Sequence, residues 1–193
     1  MMDYRCIDIR ILKKKNLSVT ARCILLLLYF FSNRNNIASL NRQQILNYLG
    51  IGLTGYYPHY RQLTASGIIT VNRKGKGKDK SKNFYRFAWK YPATVNSAGI
   101  IYKKIITSQK LAPISKLLYT YITAFCPNYK DSWTFQKTYI CRDLNISDYL
   151  LKKGFNELEK KNLIIVNRKY PYFIIVNNYN PNKKVETKWV LKN

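Results

Sequence analysis

Acidic side chains are what this chain most conspicuously lacks: 9 Asp and Glu stand against 34 Lys and Arg, a formal net charge of +25. No acidic residue occurs from position 9 through position 78. Self-repulsion on this scale works against a compact state unless a polyanion meets it. Nucleic acid is the first partner this balance points to, and an anionic membrane surface the second. The same scarcity excludes chemistry. Metal-dependent nucleases and polymerases need clustered carboxylates to hold Mg²⁺, and here the carboxylates are scattered. A single histidine, His59, rules out a multi-histidine metal site. No phosphate-binding Gly-rich loop with its Lys-Ser/Thr pair is present, and a tyrosine nucleophile would lack visible helpers. The expectation is a binder, not an enzyme, with no metal and no cofactor.

Cysteine and long apolar runs are also in short supply. Cys6, Cys23, Cys126 and Cys141 form no C-x-x-C pair, so neither a zinc site nor a disulfide framework is indicated. Cys23 and Cys126 sit in apolar stretches and read as core residues of a protein of the reducing cytoplasm. The apolar run from Cys23 to Phe31 falls well short of the ~20 residues that span a bilayer. Lys13–Lys15 precede it much as in a signal peptide, but Arg22 interrupts the approach and no small-residue cleavage site follows. A buried helix is expected there, and no membrane partner.

What is present is a repeat. Val71-Asn72-Arg73-Lys74 recurs 95 residues later as Val166-Asn167-Arg168-Lys169, Leu63 as Leu158, Tyr60 as Phe155 and Ile45 as Ile140. LGIG (49–52) matches LNIS (144–147). With a slip of one residue, LSVTARCILLLLYFF (17–31) aligns with LAPISKLLYTYITAF (111–125). The chain reads as a tandem duplication. Its boundaries are expected at 1–92 and 93–178, joined by a connector of about Lys90–Ser97 that contains Pro92, with a basic tail at 179–193. The excess charge is shared, with 17 basic and 3 acidic residues in 1–95 against 17 and 6 in 96–193.

Each copy reads in the same order. An apolar helix (Val19–Phe31; Ile114–Phe125) precedes a short extended piece (Ile37–Ser39; Ser132–Thr134). A second helix (Asn41–Leu49; Phe135–Leu144) follows, with Ser39 and Thr134 as expected N-caps. Gly50-Ile51-Gly52 and Asn145-Ile146-Ser147 supply a tight turn, and a third helix (Thr54–Ser66; Ser147–Lys161) closes a helix-turn-helix. Leu151, Phe155 and Leu158 form its buried stripe, with Tyr56, Tyr60 and Leu63 as their equivalents. Two strands end each copy: Ile68–Asn72 with Phe84–Trp89, and Leu163–Asn167 with Tyr172–Val176. The predicted fold is therefore α+β, two tandem winged helix-turn-helix domains.

In such a unit the third helix enters the major groove. Its outward residues are Thr54, Tyr57, Pro58, Arg61 and Gln62 in the first copy, and Asp148, Tyr149, Lys152, Lys153 and Asn156 in the second. Arg61 suits either guanine or phosphate, Asn156 suits adenine, and Lys152 and Lys153 suit phosphate. The first wing carries Arg73, Lys74, Lys76, Lys78, Lys80 and Lys82, placed for phosphate or minor-groove contact or for bulk electrostatic attraction. The second has only Arg168 and Lys169, so identical binding by the two units is not expected. The 17 tyrosines invite stacking on single strands, but most fall on core stripes or strands.

LSVTARCILLLLYFF and LAPISKLLYTYITAF resemble the opening helix of winged-helix replication initiators and replisome organisers of low-GC Gram-positive plasmids and phages. There the pattern is often Leu-Ser-x-x-Ala-Lys-x-x-x-Tyr, to which Leu111, Ser115-Lys116 and Tyr119 supply the closest match. LNISDYLLKKGFNELEKKNLI (144–164) is similar to the turn and recognition helix of that class. The resemblance implies a sequence-specific double-stranded DNA binder acting at origin repeats. A homodimer or an assembly on those repeats, and host replication proteins, are its expected partners. A transcriptional regulator, a conjugative-transfer accessory protein and a general nucleic-acid or membrane-surface scaffold are the rival roles.

Overall fold

The computed structural model describes residues 4–73, 82–88, 98–126, 132–168 and 173–176. It is a mixed α/β fold of the α+β kind, with eight helices among the described residues and three small antiparallel sheets. The first half comprises β1 (Tyr4–Asp8), α1 (Ile9–Leu12), α2 (Val19–Phe30), β2 (Ile37–Asn41), α3 (Arg42–Leu49), α4 (Leu53–Ala65), β3 (Ile69–Arg73) and β4 (Lys82–Phe87). The second repeats that order as β5 (Ala98–Tyr102), α5 (Lys103–Ile106), α6 (Pro113–Ile122), β6 (Ser132–Thr134), α7 (Lys137–Leu144), α8 (Asp148–Lys160), β7 (Ile164–Asn167) and β8 (Phe173–Val176). The three-stranded sheets have matching orders, β2-β4-β3 and β6-β8-β7. The expected boundary at residue 92 and the tail at 179–193 lie outside the described residues.

Local chemistry accounts for most of the element ends. The Ser18 hydroxyl accepts from the Ala21 N–H at 3.1 Å to start α2, and Ser147 does the same for α8. Gly50 (φ 64°) and Asn145 (φ 47°) take the left-handed conformation that stops α3 and α7, as Gly or Asn does most cheaply. The expected caps at Ser39 and Thr134 are corrected. Ala38 and Leu40 alternate into the core as β2, which carries the chain two residues further before Asn41 closes a capping box with Gln44. Thr134 is the last residue of β6, opposite Phe173, and α7 begins after Gln136 with no side-chain cap.

Four elements escape the sequence reading: β1, α1, β5 and α5. They join the halves. β1 pairs antiparallel with β5, and the central pair is Cys6 with Ile100. These two residues occupy the same place in their respective halves, so the ribbon has local two-fold symmetry. Beneath it α2 packs on α6, and one continuous core runs through both halves. Close approach is built in at Gly99, where a Cβ would lie 2.5 Å from the Thr120 carbonyl oxygen.

The core also holds two cations. Arg22 on α2 is 1% exposed and Lys116 on α6 is 0% exposed, and neither is ion-paired to a carboxylate among the described residues. Arg22 donates to the Leu12 carbonyl at 2.7 Å and, across the molecule, to the Leu144 carbonyl at the end of α7 at 2.6 Å. The Lys116 ammonium donates to the Tyr48 carbonyl in the last turn of α3. Each cation thus satisfies an orphan carbonyl at the negative end of a helix in the opposite half. Hydrogen bonds to charged groups contribute about 1.5–3 kcal/mol, set against a desolvation cost of several kcal/mol per ion. Lys13 with Asp143 (2.6 Å), Asn145 with the Lys15 carbonyl (3.3 Å) and Cys23 with the Pro113 carbonyl (2.8 Å) add further bonds between the halves.

Two outcomes follow from this core. Burial lowers the Lys116 ammonium from 10.5 to about 8, against the opposing influence of Cys23 and Glu157. Between those values the unfolded chain holds the proton more tightly than the folded one. The cost of burying the charge is therefore complete below about pH 8 and is relieved as the pH rises towards 10.5. Urea unfolding should show wild-type stability rising relative to Lys116→Met across that window; a flat or falling difference counts against the assignment. Gly99→Ala should cost about 1–3 kcal/mol by overpacking against fixed backbone, read from the urea midpoint.

Candidate nucleic-acid interface

The helix after each turn, α4 or α8, lies against the long helix of its own half and turns its other face to solvent. In the first half the inner side is aromatic. Tyr56 is buried and stacks on Tyr60 at 5.3 Å, and Tyr60 meets Tyr85 of β4 edge-on at 6.5 Å. Burial is the main cause that pushes the Tyr56 hydroxyl far above the usual phenol range. In the second half Leu151, Phe155 and Leu158 are buried, as the stripe predicts. Gly154 permits closer approach there, since a Cβ would come within 2.4 Å of the Leu118 side chain. The corresponding residue of α4 is His59, whose Nδ1 lies 2.8 Å from the Ser18 hydroxyl and whose pKa is lowered by burial.

Of the expected first-half readers, Thr54, Tyr57 and Arg61 are exposed, as is Pro58. Gln62 departs from the expectation. It is half-buried, accepts from the Ser18 N–H at 2.9 Å and donates to the Asn16 carbonyl at 2.7 Å. Its amide caps the start of α2 instead of facing a ligand. Glu157 does the equivalent work on α8, accepting from the Ala112 N–H at 3.0 Å and from the Ser115 hydroxyl.

In the second half Tyr149 is 72% exposed, and Lys152, Lys153 and Asn156 share its outward face. Lys152 forms a solvent-exposed ion pair with Asp148 at 2.5 Å. Such a pair contributes about 0.3–0.5 kcal/mol, so Lys152 can exchange it for a phosphate at little cost. Arg168 at the end of β7 is drawn onto the same surface. It pairs with Glu159 and donates to the Asn156 side-chain oxygen at 3.1 Å. Glu159 holds the Arg168 guanidinium above its usual pKa. Lys137, Lys152, Asn156 and Arg168 rim a cleft floored by Leu151, Phe155 and Val166. Arg73 ends β3 and Lys82 begins β4, whereas Lys74, Lys76, Lys78, Lys80 and Lys169 lie outside the described residues.

No protein-family model matches the chain, and comparison with characterised proteins and with solved structures finds no match. No helix among the described residues is long and apolar enough to cross a membrane.

Two basic residues of this surface go unnoticed in the sequence reading. Arg42 opens α3 and donates to the Tyr57 hydroxyl at 2.6 Å, with its guanidinium 5.9 Å from the ring. Lys137 opens α7 at the corresponding position. A cation in the first turn opposes the helix dipole, so helix stability does not explain either residue. Their recurrence at one place in both copies was the available signal. On the DNA-binding reading proposed below, Lys137→Ala weakens binding on all sequences and reduces the salt slope by about one. An unaltered slope would remove Lys137 from the interface.

Proposed function

We propose that the chain is a sequence-specific double-stranded DNA-binding protein built from two winged helix-turn-helix units related by tandem duplication. We infer that it binds an origin or similar site on a plasmid or other mobile element and initiates replication there. The observation that carries the reading is the surface of α8 and its counterpart α4. In both halves a helix ended by a left-handed Gly or Asn leads into a helix whose outer face mixes basic and aromatic groups, joined on α8 by the Asn156 amide. That composition suits phosphate anchoring with base-edge contact, and a net charge of +25 supports a polyanionic partner. Each helix is followed by two strands that lie in a small three-stranded sheet, the arrangement in which a wing is expected.

The protein acts as a binder without catalysis. Its carboxylates are scattered along the sequence, and the hydroxyls of Tyr56, Tyr119 and Tyr121 are pushed upward chiefly by burial, away from the ionised form a nucleophile needs.

Competition binding at physiological salt tests the reading. One fragment of the parent replicon should be preferred well beyond a few-fold over unrelated DNA; equal binding to all fragments sinks it. Arg61→Ala or Asn156→Ala should cost about 1–3 kcal/mol and relax base choice at one position, whereas uniform weakening would make these residues phosphate contacts. Deleting the gene separates the roles. Loss of replicon maintenance supports initiation, and retained maintenance with altered transcript levels moves the reading to regulation.

A further inference from the structure

The bonds that cross between the halves and those that seat α4 and α8 form one closed circuit. Gln62 of α4 caps the start of α2. Arg22 of α2 grips the Leu144 carbonyl at the end of α7, and α7 leads through its turn into α8. Glu157 of α8 caps the start of α6. Lys116 of α6 grips the Tyr48 carbonyl near the end of α3, and α3 leads back through its turn into α4. Each exposed helix is thus referenced to both halves.

We propose that Arg22 and Lys116 are positioning residues that hold α4 and α8 at one separation and phase, so that the protein reads its DNA as a single composite site of two dissimilar half-sites at fixed spacing. This rests on the DNA-binding reading above. Net stability gives no reason for the two cations, because well-packed apolar side chains in their place are often neutral or stabilising. Direction does give one. An apolar contact tolerates sliding, whereas an N–H aimed at one carbonyl fixes both the distance and the angle of the helix that bears it. A basic residue occupies the same position in each half and reaches the last turn of the same helix in the other. The β1–β5 ribbon, centred on the corresponding residues Cys6 and Ile100, imposes the same two-fold relation. The outer faces themselves differ, with Thr54, Tyr57 and Arg61 on α4 against Tyr149, Lys153 and Asn156 on α8, so the two half-sites differ in sequence.

The test uses the full chain and a preferred DNA fragment found by selection, in which the spacer between the two protected segments is varied. B-DNA turns once in about 10 base pairs, so five inserted pairs place the second half-site on the far side of the duplex. Wild-type affinity should fall by about tenfold or more on that insertion and stay low when a full turn is inserted, because the second half-site then returns to phase but lies about 34 Å further along the duplex. Arg22→Met and Lys116→Met should bind a widened range of spacers while keeping the base preference within each half-site, a change that partial unfolding would not produce. Lys116→Arg should restore the narrow profile. Should the Met variants fail to fold, Arg22→Gln and Lys116→Gln enter the same selection, and a spacer profile identical to wild type overturns the proposal. A preferred sequence bound with indifference to spacing overturns this inference alone. The absence of any preferred sequence overturns the DNA reading and this inference with it.

Discussion

The guanidinium of Arg22 and the ammonium of Lys116 lie on two helices packed against each other, and each spends its charge on a carbonyl at the end of a helix in the other half. A buried cation without an ion-paired carboxylate is costly unless its donors are satisfied. Here satisfaction comes from helix ends, where orphan carbonyls and the negative pole of the dipole coincide. The consequence reaches well beyond two hydrogen bonds. The turn after α3 and the turn after α7 are each held by the neighbouring half, so neither turn rests on the core of its own half alone.

Around this constraint the halves differ in the way they seat the outer helix. On α8, Gly154 admits the Leu118 side chain, and the charged Glu157 caps the start of α6. On α4, the corresponding places hold His59 and Gln62, a larger side chain and a neutral amide that reach Ser18. The second half also binds Arg168 to its outer helix through Glu159 and Asn156, whereas the first joins Arg42 to Tyr57. Both arrangements bring a guanidinium to the exposed helix, but from different elements, β7 in one case and α3 in the other. The two faces are thus chemically distinct surfaces on a common frame.

Much of this frame was legible in the chain. Apolar periodicity marked the four long helices to within a few residues, because an amphipathic stripe is a local property. The left-handed stops at Gly50 and Asn145 fall in the turns read from residue type, since few other side chains adopt that conformation cheaply. Helix starts were read less well. Asn41 displaced Ser39 because the preceding residues were claimed by strand β2, and strand pairing with β4 depends on residues far along the chain. The first two elements of each half escape the sequence reading although Ile7, Ile11, Leu12 and Leu17 recur as Ile101, Ile105, Ile106 and Leu111, all of them buried.

Local pattern along the chain was enough for the repeat, the order of helices and strands after the opening segment, the basic character of the surface and which residues line each buried stripe. These depend on composition and on spacings of a few residues. Long-range packing set the pairing of β1 with β5, the turn of Gln62 to the start of α2 and the contact of Arg168 with Asn156. It alone decided where the buried cations point, because Arg22 meets a carbonyl 122 residues away and Lys116 one 68 residues away. At such separations no local propensity selects the partner. It is selected by the packing of α2 on α6, which leaves each charge facing the end of a helix from the other half.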